Sequence, residues 1–235
     1  MKNLFLFLFL LVVFTSKAQD NRVSGLNSRQ FTKYWKVESE SPDYKVTFQG
    51  DTAEIVSPKG LTLWRKEKMS GKVTIEYDAC VVVESDGDRL SDLNCFWMAS
   101  DPQYPDNLWK REKWRSGIFL NCYSLQLYYL GYGGNHNSTT RFRRYDGDES
   151  GITNPKARPA ILKEYTDAGH LLKPNHWYHI KITNENNRVS YYIDGERLVD
   201  FRDAEPLREG WFGFRTTLSR TRITNISYEC SSQEV

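Results

Sequence analysis

The stretch Lys72–Val83, KVTIEYDACVVV, decides how the rest of the chain is read. Val73, Ile75, Tyr77, Ala79, Val81 and Val83 alternate with Thr74, Glu76, Asp78 and Cys80. A period of two over that length belongs to a strand with one buried face. Working outward, Tyr44–Phe48 and Ala53–Val56 flank Gln49-Gly50-Asp51 as the arms of a hairpin. Further strands are expected over 116–123, 125–132, 139–145, 177–183, 189–193 and 211–216. Gly133-Gly134-Asn135, Glu185-Asn186-Asn187 and Asp194-Gly195 supply turns between them. Apolar residues at helical spacing are missing from every long segment. The pattern predicts an all-β antiparallel sandwich, with Tyr178, Ile180, Ile182, Phe212 and Phe214 in its core. Gly147–Pro159 and Asp101–Asp106 read as binding-face loops, because strands of the same character lie on either side.

With 7 Trp, 14 Tyr and 12 Phe in 235 residues, the chain is too aromatic to stay disordered. Residues 1–18 read as a secretory signal: Lys2 is the charged start, Leu4–Phe14 the apolar stretch, and Ser16-Lys17-Ala18 the cleavage site. That apolar stretch is too short to span a bilayer, so no membrane partner is expected. Lys2 and Lys17 leave with the signal, and the remaining Lys and Arg of the original 32 then equal the 30 Asp and Glu. A neutral mature protein disfavours nucleic acid as a partner. Cys80, Cys95, Cys122 and Cys230 permit two disulfides in an exported chain, but buried free thiols or one structural bridge are the simpler reading. One domain over residues 19–235 accounts for the rest.

The C-terminal third carries a resemblance. Asn175–Ile182 (NHWYHIKI), Arg188–Glu196 (RVSYYIDGE) and Gly210–Arg215 (GWFGFR) are similar to the last strands of concanavalin-A-like jelly rolls, the laminin-G, lectin and glucanase superfamily. Trp35, Gly60–Trp64 (GLTLW) and Gly71-Lys72-Val73 resemble its opening strands. Within that superfamily the chain looks closest to an uncharacterised family of exported bacterial proteins of polysaccharide utilisation. The resemblance implies a jelly roll and a carbohydrate partner. It does not choose among lectins, hydrolases and lyases.

Charge is concentrated in one segment. Between Leu108 and Tyr145 stand Lys110, Arg111, Lys113, Arg115, Arg141, Arg143 and Arg144 against a single acid, Glu112, among Trp109, Trp114 and five tyrosines. Guanidinium groups fork carboxylates and aromatic faces lie against sugar rings, so the cluster suits an acidic polysaccharide. Strand alternation assigns Gln126, Tyr128 and Tyr132 to the groove face, with Leu125, Leu127 and Tyr129 opposite. Arg141 and Arg143 join the groove from the next strand, and Asn135 and His136 sit at the hairpin tip. Arg115 and Asn121 complete the expected substrate contacts. Tyr, His, Arg and amide side chains are the parts used by jelly-roll polysaccharide lyases. Carried over by residue type, Arg143 neutralises a uronate carboxylate while Tyr132 and His136 move protons. The lyase triplet Gln-x-His and the Tyr-x-Lys-aromatic-Gly strand are both missing here.

Competing sites are weaker. The glucanase signature E-x-D-x-x-E is absent, and Glu76 and Asp78 read as the solvent side of an alternating strand. Asp86, Asp88, Asp92 and Asn94 offer oxygen ligands of the kind calcium takes, but a plain acidic loop is the simpler reading. No metal or cofactor is expected. His176 and His179 lie three apart on a strand, on opposite faces, and with His170 read as structural.

The expectation is an exported protein acting on a uronate-containing polysaccharide by β-elimination. The other readings are a non-catalytic lectin-like module and a sugar hydrolase or keto-sugar eliminase. Intact-mass measurement on secreted protein should find the chain starting at Gln19; retained Met1, or an attached lipid, would overturn the export reading.

Overall fold

A computed structural model describes residues 26–231; the expected signal segment lies outside the described residues. Thirteen antiparallel strands make up the described chain: β1 Trp35–Ser39, β2 Lys45–Gln49, β3 Thr52–Arg65, β4 Met69–Ser70, β5 Lys72–Val81, β6 Leu93–Ser100 and β7 Gln126–Gly133. They continue as β8 Thr139–Asp146, β9 Lys163–Tyr165, β10 Tyr178–Glu185, β11 Arg188–Ile193, β12 Glu196–Arg202 and β13 Glu209–Ser231. The order along the pairing path is β12-β11-β10-β5-β13-β6-β7-β8-β9, with β3 joining β1, β2 and β13. No helix among the described residues is long and apolar enough to cross a membrane.

Two strands serve both layers of the sandwich. The first part of β13 pairs with β6 and with Gly60–Trp64 of β3; its second part pairs with β5 and with residues 53–57. The ladder slips between Thr217 and Ser219, where Leu218 has a φ of 50°. A bulge of this kind lets a strand turn a corner from one sheet to the other. Between the layers, Ile75, Tyr77, Ile180, Ile182 and Tyr191 of one sheet face Trp97, Tyr128, Leu130, Phe142, Phe212 and Phe214 of the other. All five core residues expected from alternation are buried.

A second apolar cluster lies on the outer face of the β6–β7–β8 sheet. Trp64, Phe96, Leu127, Tyr129, Tyr145 and Trp211 pack there beneath Leu108, Cys122, Tyr123 and Leu125 of the connection from β6 to β7. That connection is where the sequence reading fails locally. Residues 116–123, expected as a strand, form a 3-10 turn over Phe119–Ser124, preceded by short turns at Leu108–Arg111 and Glu112–Arg115. Their alternation serves a lid packed on one sheet face, with no edge left for a strand to pair.

The lid is fastened by buried charge. Arg115, wholly buried, donates to Glu38 at 3.0 Å and to the Leu108 carbonyl at 2.6 Å, with Asp101 3.7 Å away. Arg111 grips Asp101 at 2.7 Å and also pairs with Glu149. Gly117 closes the joint: a Cβ there would stand 2.7 Å from the Glu40 nitrogen and 2.8 Å from the Glu38 and Gly60 carbonyls.

Replacing Arg115 by Met leaves Glu38 buried without its cation, while Asp101 keeps Arg111, and should lower stability by about 3 kcal/mol at neutral pH. Burial already holds the Glu38 carboxyl above its ordinary 4.5, against the opposing pull of Arg115. Losing Arg115 raises it further. A carboxyl whose folded pKa exceeds its unfolded one is penalised increasingly as pH climbs through that interval. Urea unfolding should therefore show the deficit shrinking as pH falls toward 4.5; a deficit flat in pH would contradict this account.

Candidate functional site

The strand ladders line up side chains across the outer face of the sheet. Thr62, Arg215, Asn94, Gly131 and Arg141 stand side by side, and next to them Trp64, Gly213, Phe96, Tyr129 and Arg143 form a parallel row. The lid covers the aromatic end of this face. What stays open is a pocket of about 430 Å³, lined by Arg215, Asn94, Gly131 and Arg141 of the first row together with Phe119, Tyr123 and Arg158, and by Glu40, Arg89, Asp92, Asn135 and Thr217.

Five arginines and two carboxylates line this pocket. Arg89 is neutralised by Asp92 at 3.0 Å and Arg141 by Glu164. The other three have no carboxylate within ion-pair distance among the described residues. Arg143 donates to the Pro159 carbonyl, Arg158 to the Gly151 carbonyl at 3.4 Å, and Arg215 to Thr62 and to the Gly117 carbonyl. Carbonyl oxygens satisfy N–H groups without cancelling the charge. Arg215 also lies over the Phe119 ring at 5.6 Å and Arg158 over Tyr123 at 5.9 Å.

Tyr129 projects between these groups. Its ring rests on Phe96, Phe119 and Tyr145, with centroids 5.4, 5.5 and 5.8 Å away. Its hydroxyl hangs over Gly131, where a Cβ would come within 2.3 Å of it. That hydroxyl makes no hydrogen bond to any described residue. Burial pushes its pKa well above the usual phenol range; the Asp92 charge adds to this, and Arg215 and Arg143 oppose it. The phenol is therefore protonated at neutral pH and is a donor waiting for an acceptor. Asp92 itself accepts from Ser91 at 2.8 Å and from Asn94 at 3.2 Å.

Of the residues expected from the sequence, Arg141, Arg143 and Asn135 line the pocket. Tyr128 and Tyr132 do not. Alternation in β7 groups the residues as expected, but the two faces are exchanged: Tyr128, Leu130 and Tyr132 enter the core between the layers, while Leu127 and Tyr129 take the outer face. Tyr128 donates to Asp203 at 2.6 Å, and Tyr132 packs edge-on against Tyr178 and donates to the Leu171 carbonyl at 3.3 Å. Gln126 begins the strand opposite Ser100 and Asp146, outside the pocket. Arg115 is consumed in the lid fastening, and Asn121 donates to the Trp114 carbonyl at 3.0 Å. His136 points to solvent from a tight turn in which Asn135, His136 and Asn137 all have positive φ. It neither lines the pocket nor meets Tyr132, so the expected Tyr132–His136–Arg143 grouping does not form.

Sequence reasoning missed Tyr129, Arg158 and Arg215. For Arg215 the signal was present, since its neighbours Phe212 and Phe214 alternate with Gly213 and Arg215. The remaining sites are accounted for by local pairing. Glu76 binds Lys181 at 2.6 Å and Asp78 binds His179 at 2.8 Å. His170 sits between Asp167 and Glu196. Among the described residues no three His, Cys, Asp or Glu side chains converge to hold a metal ion, the 86–94 loop included. All four cysteines are free thiols, and burial raises Cys95 to about 12 and Cys122 to about 11, which keeps them unreactive.

These features define an antiparallel jelly-roll sandwich with an arginine-rich pocket on one outer face. The chain belongs to the family described as a domain of unknown function, DUF6250, whose model matches residues 55–226. A comparison with curated proteins finds no match. Among solved structures, a Bacillus subtilis protein of unknown function with a galectin-like fold is 15% identical, with a TM-score of 0.70 over 90% of this chain and 96% of its own. The carbohydrate-binding module CBM66 from Bacillus subtilis is 15% identical, with a TM-score of 0.54 over 83% of this chain and 94% of that one. The exoplasmic domain of VIP36, bound to Ca²⁺ and Man3GlcNAc, is 8% identical, with a TM-score of 0.57 over 89% of each chain. At these identities the likeness is one of fold.

Gly131→Ala tests the tyrosine's seat. Its methyl would collide with the Tyr129 hydroxyl at 2.3 Å and ring carbon at 2.8 Å. Stability should fall by about 1–3 kcal/mol, the usual cost of overpacking, with Tyr129 turned away from the arginines. Thermal unfolding unchanged from the parent would show the ring is not held there.

Proposed function

We propose that this pocket binds an acidic glycan. The observation that carries the reading is the group formed by Arg143, Arg158 and Arg215, which face the same space without a carboxylate partner among the described residues. Three guanidinium groups outside any ion pair among the described residues, against the single unpaired carboxylate of Glu40, favour an anion, and each can fork a carboxylate. Phe119 and Tyr123 add apolar faces suited to sugar rings. Similarity in fold to a carbohydrate-binding module and to the Man3GlcNAc-bound VIP36 domain supports a sugar over other anions.

A second reading, β-elimination at the same site, is favoured by Tyr129. Arg143 and Arg215 would neutralise the uronate carboxylate, which makes the adjacent C5–H acidic. Glu40, which makes no ion pair with a described residue, is the available acceptor for that proton. As the C4–O bond breaks, Tyr129, protonated and unpartnered, gives its proton to the leaving oxygen. Tyr129 here takes the role first sought in Tyr132. Export to the periplasm or medium, expected from residues 1–18, would put the protein where such polymers are met.

Binding and turnover on glucuronate and galacturonate oligomers separate these readings. Arg143→Ala should weaken binding at least tenfold, the equivalent of about 1.4 kcal/mol, and neutral glucans should not bind. Elimination leaves a C4–C5 double bond conjugated with the carboxylate, so product should absorb in the near ultraviolet. Tyr129→Phe should lower that rate about 10²–10⁴-fold with little change in affinity. Binding without turnover would leave a lectin-like module; new reducing ends without absorption would assign hydrolysis, with Glu40 and Asp92 as the carboxylates. Equal affinity for neutral and acidic glycans would remove the proposal.

A further inference from the structure

We infer that the pocket receives the end of a glycan chain and does not admit the interior of a polymer; the inference rests on the acidic-glycan reading above. A polysaccharide held along its length needs a trough open at both ends. The polar row from Arg215 in β13 to Arg141 in β8 crosses three strand spacings, about 14 Å, and its β13 end is shut.

At the β13 end the lid seals against the opening strands. Arg215 donates to the Gly117 carbonyl, and Gly117 is pressed so closely on the backbones of Glu38, Glu40 and Gly60 that no side chain would fit. Along the long side the 147–162 loop meets the lid: a Cβ at Gly151 would stand 3.4 Å from the Tyr123 ring, Arg158 lies over that ring, and Arg143 donates to the Pro159 carbonyl. Phe119, Tyr123 and Arg158 thus wall one long side, and Gly117 blocks the end beyond Arg215. A chain lying across the strands would have to pass through backbone at Gly117. A volume of about 430 Å³ is that of a small-molecule site. The same closure explains how the unpaired arginines concentrate on one terminal sugar.

Titration calorimetry with the full-length protein tests this with a uronate trisaccharide and a long polyuronate of the same linkage. End recognition predicts equal dissociation constants per chain. Expressed per uronate residue, the polymer should then bind more weakly than the trisaccharide by a factor of one third of the number of residues per chain. If the polymer binds as tightly as the trisaccharide per residue, or more tightly, chain-end recognition is overturned while acidic-glycan binding stands. If neither ligand binds, the acidic-glycan reading fails and this inference fails with it.

Discussion

The pocket depends on a guanidinium that never touches it. Arg115 sits wholly buried between Glu38 on the opening strand, Asp101 after β6 and a carbonyl of its own lid. Burying an ion pair gives little net stability against an apolar substitute. What this one supplies is position. It ties the 108–124 connection to strands distant in sequence, and that connection covers the aromatic row while leaving the arginine row open. Without the tie, Trp64, Phe96, Leu127 and Tyr145 would face water, and the wall at Gly117 and Phe119 would have no fixed place.

Charge balance in the pocket follows from the same geometry. Several arginines elsewhere are matched: Arg188 with Asp200, Arg220 and Arg222 with Glu54 and Glu84. Arg143, Arg158 and Arg215 are satisfied by backbone carbonyls instead. This satisfies their hydrogen-bonding needs and leaves their charge exposed to whatever enters. Arg215, buried at 3% exposure, is held against the Phe119 ring. The pocket therefore keeps a fixed positive field that does not depend on mobile surface side chains.

The fold was legible in the alternation of Lys72–Val83 and in the NHWYHIKI and GWFGFR stretches, because one face of each meets water and the other the core. The candidate site was legible only in part. Arg141, Arg143 and Asn135 were found through the density of basic residues between 108 and 145. Tyr129 was missed because both faces of β7 are apolar: Tyr128 and Leu130 enter one cluster, Leu127 and Tyr129 the other. Alternation cannot say which apolar face is the core when a lid buries the second. Arg158 was invisible for another reason, since it arrives from a loop whose path no local pattern specifies.

The sharing of β13 by both layers bears on how the molecule assembles. Arg215 meets Thr62 across 153 residues of chain, and β13 also pairs with β5 and β6. Before residues 209–231 are in place, β5 and β6 each lack a neighbour, and neither sheet has its centre. Such non-local closure is slow, because a large loop must be ordered before any contact rewards it. A nascent chain would expose two open sheet edges until its last strand arrived, a state prone to pairing with other chains. The strand that supplies Arg215 to the pocket is thus also the one that ends this vulnerable interval.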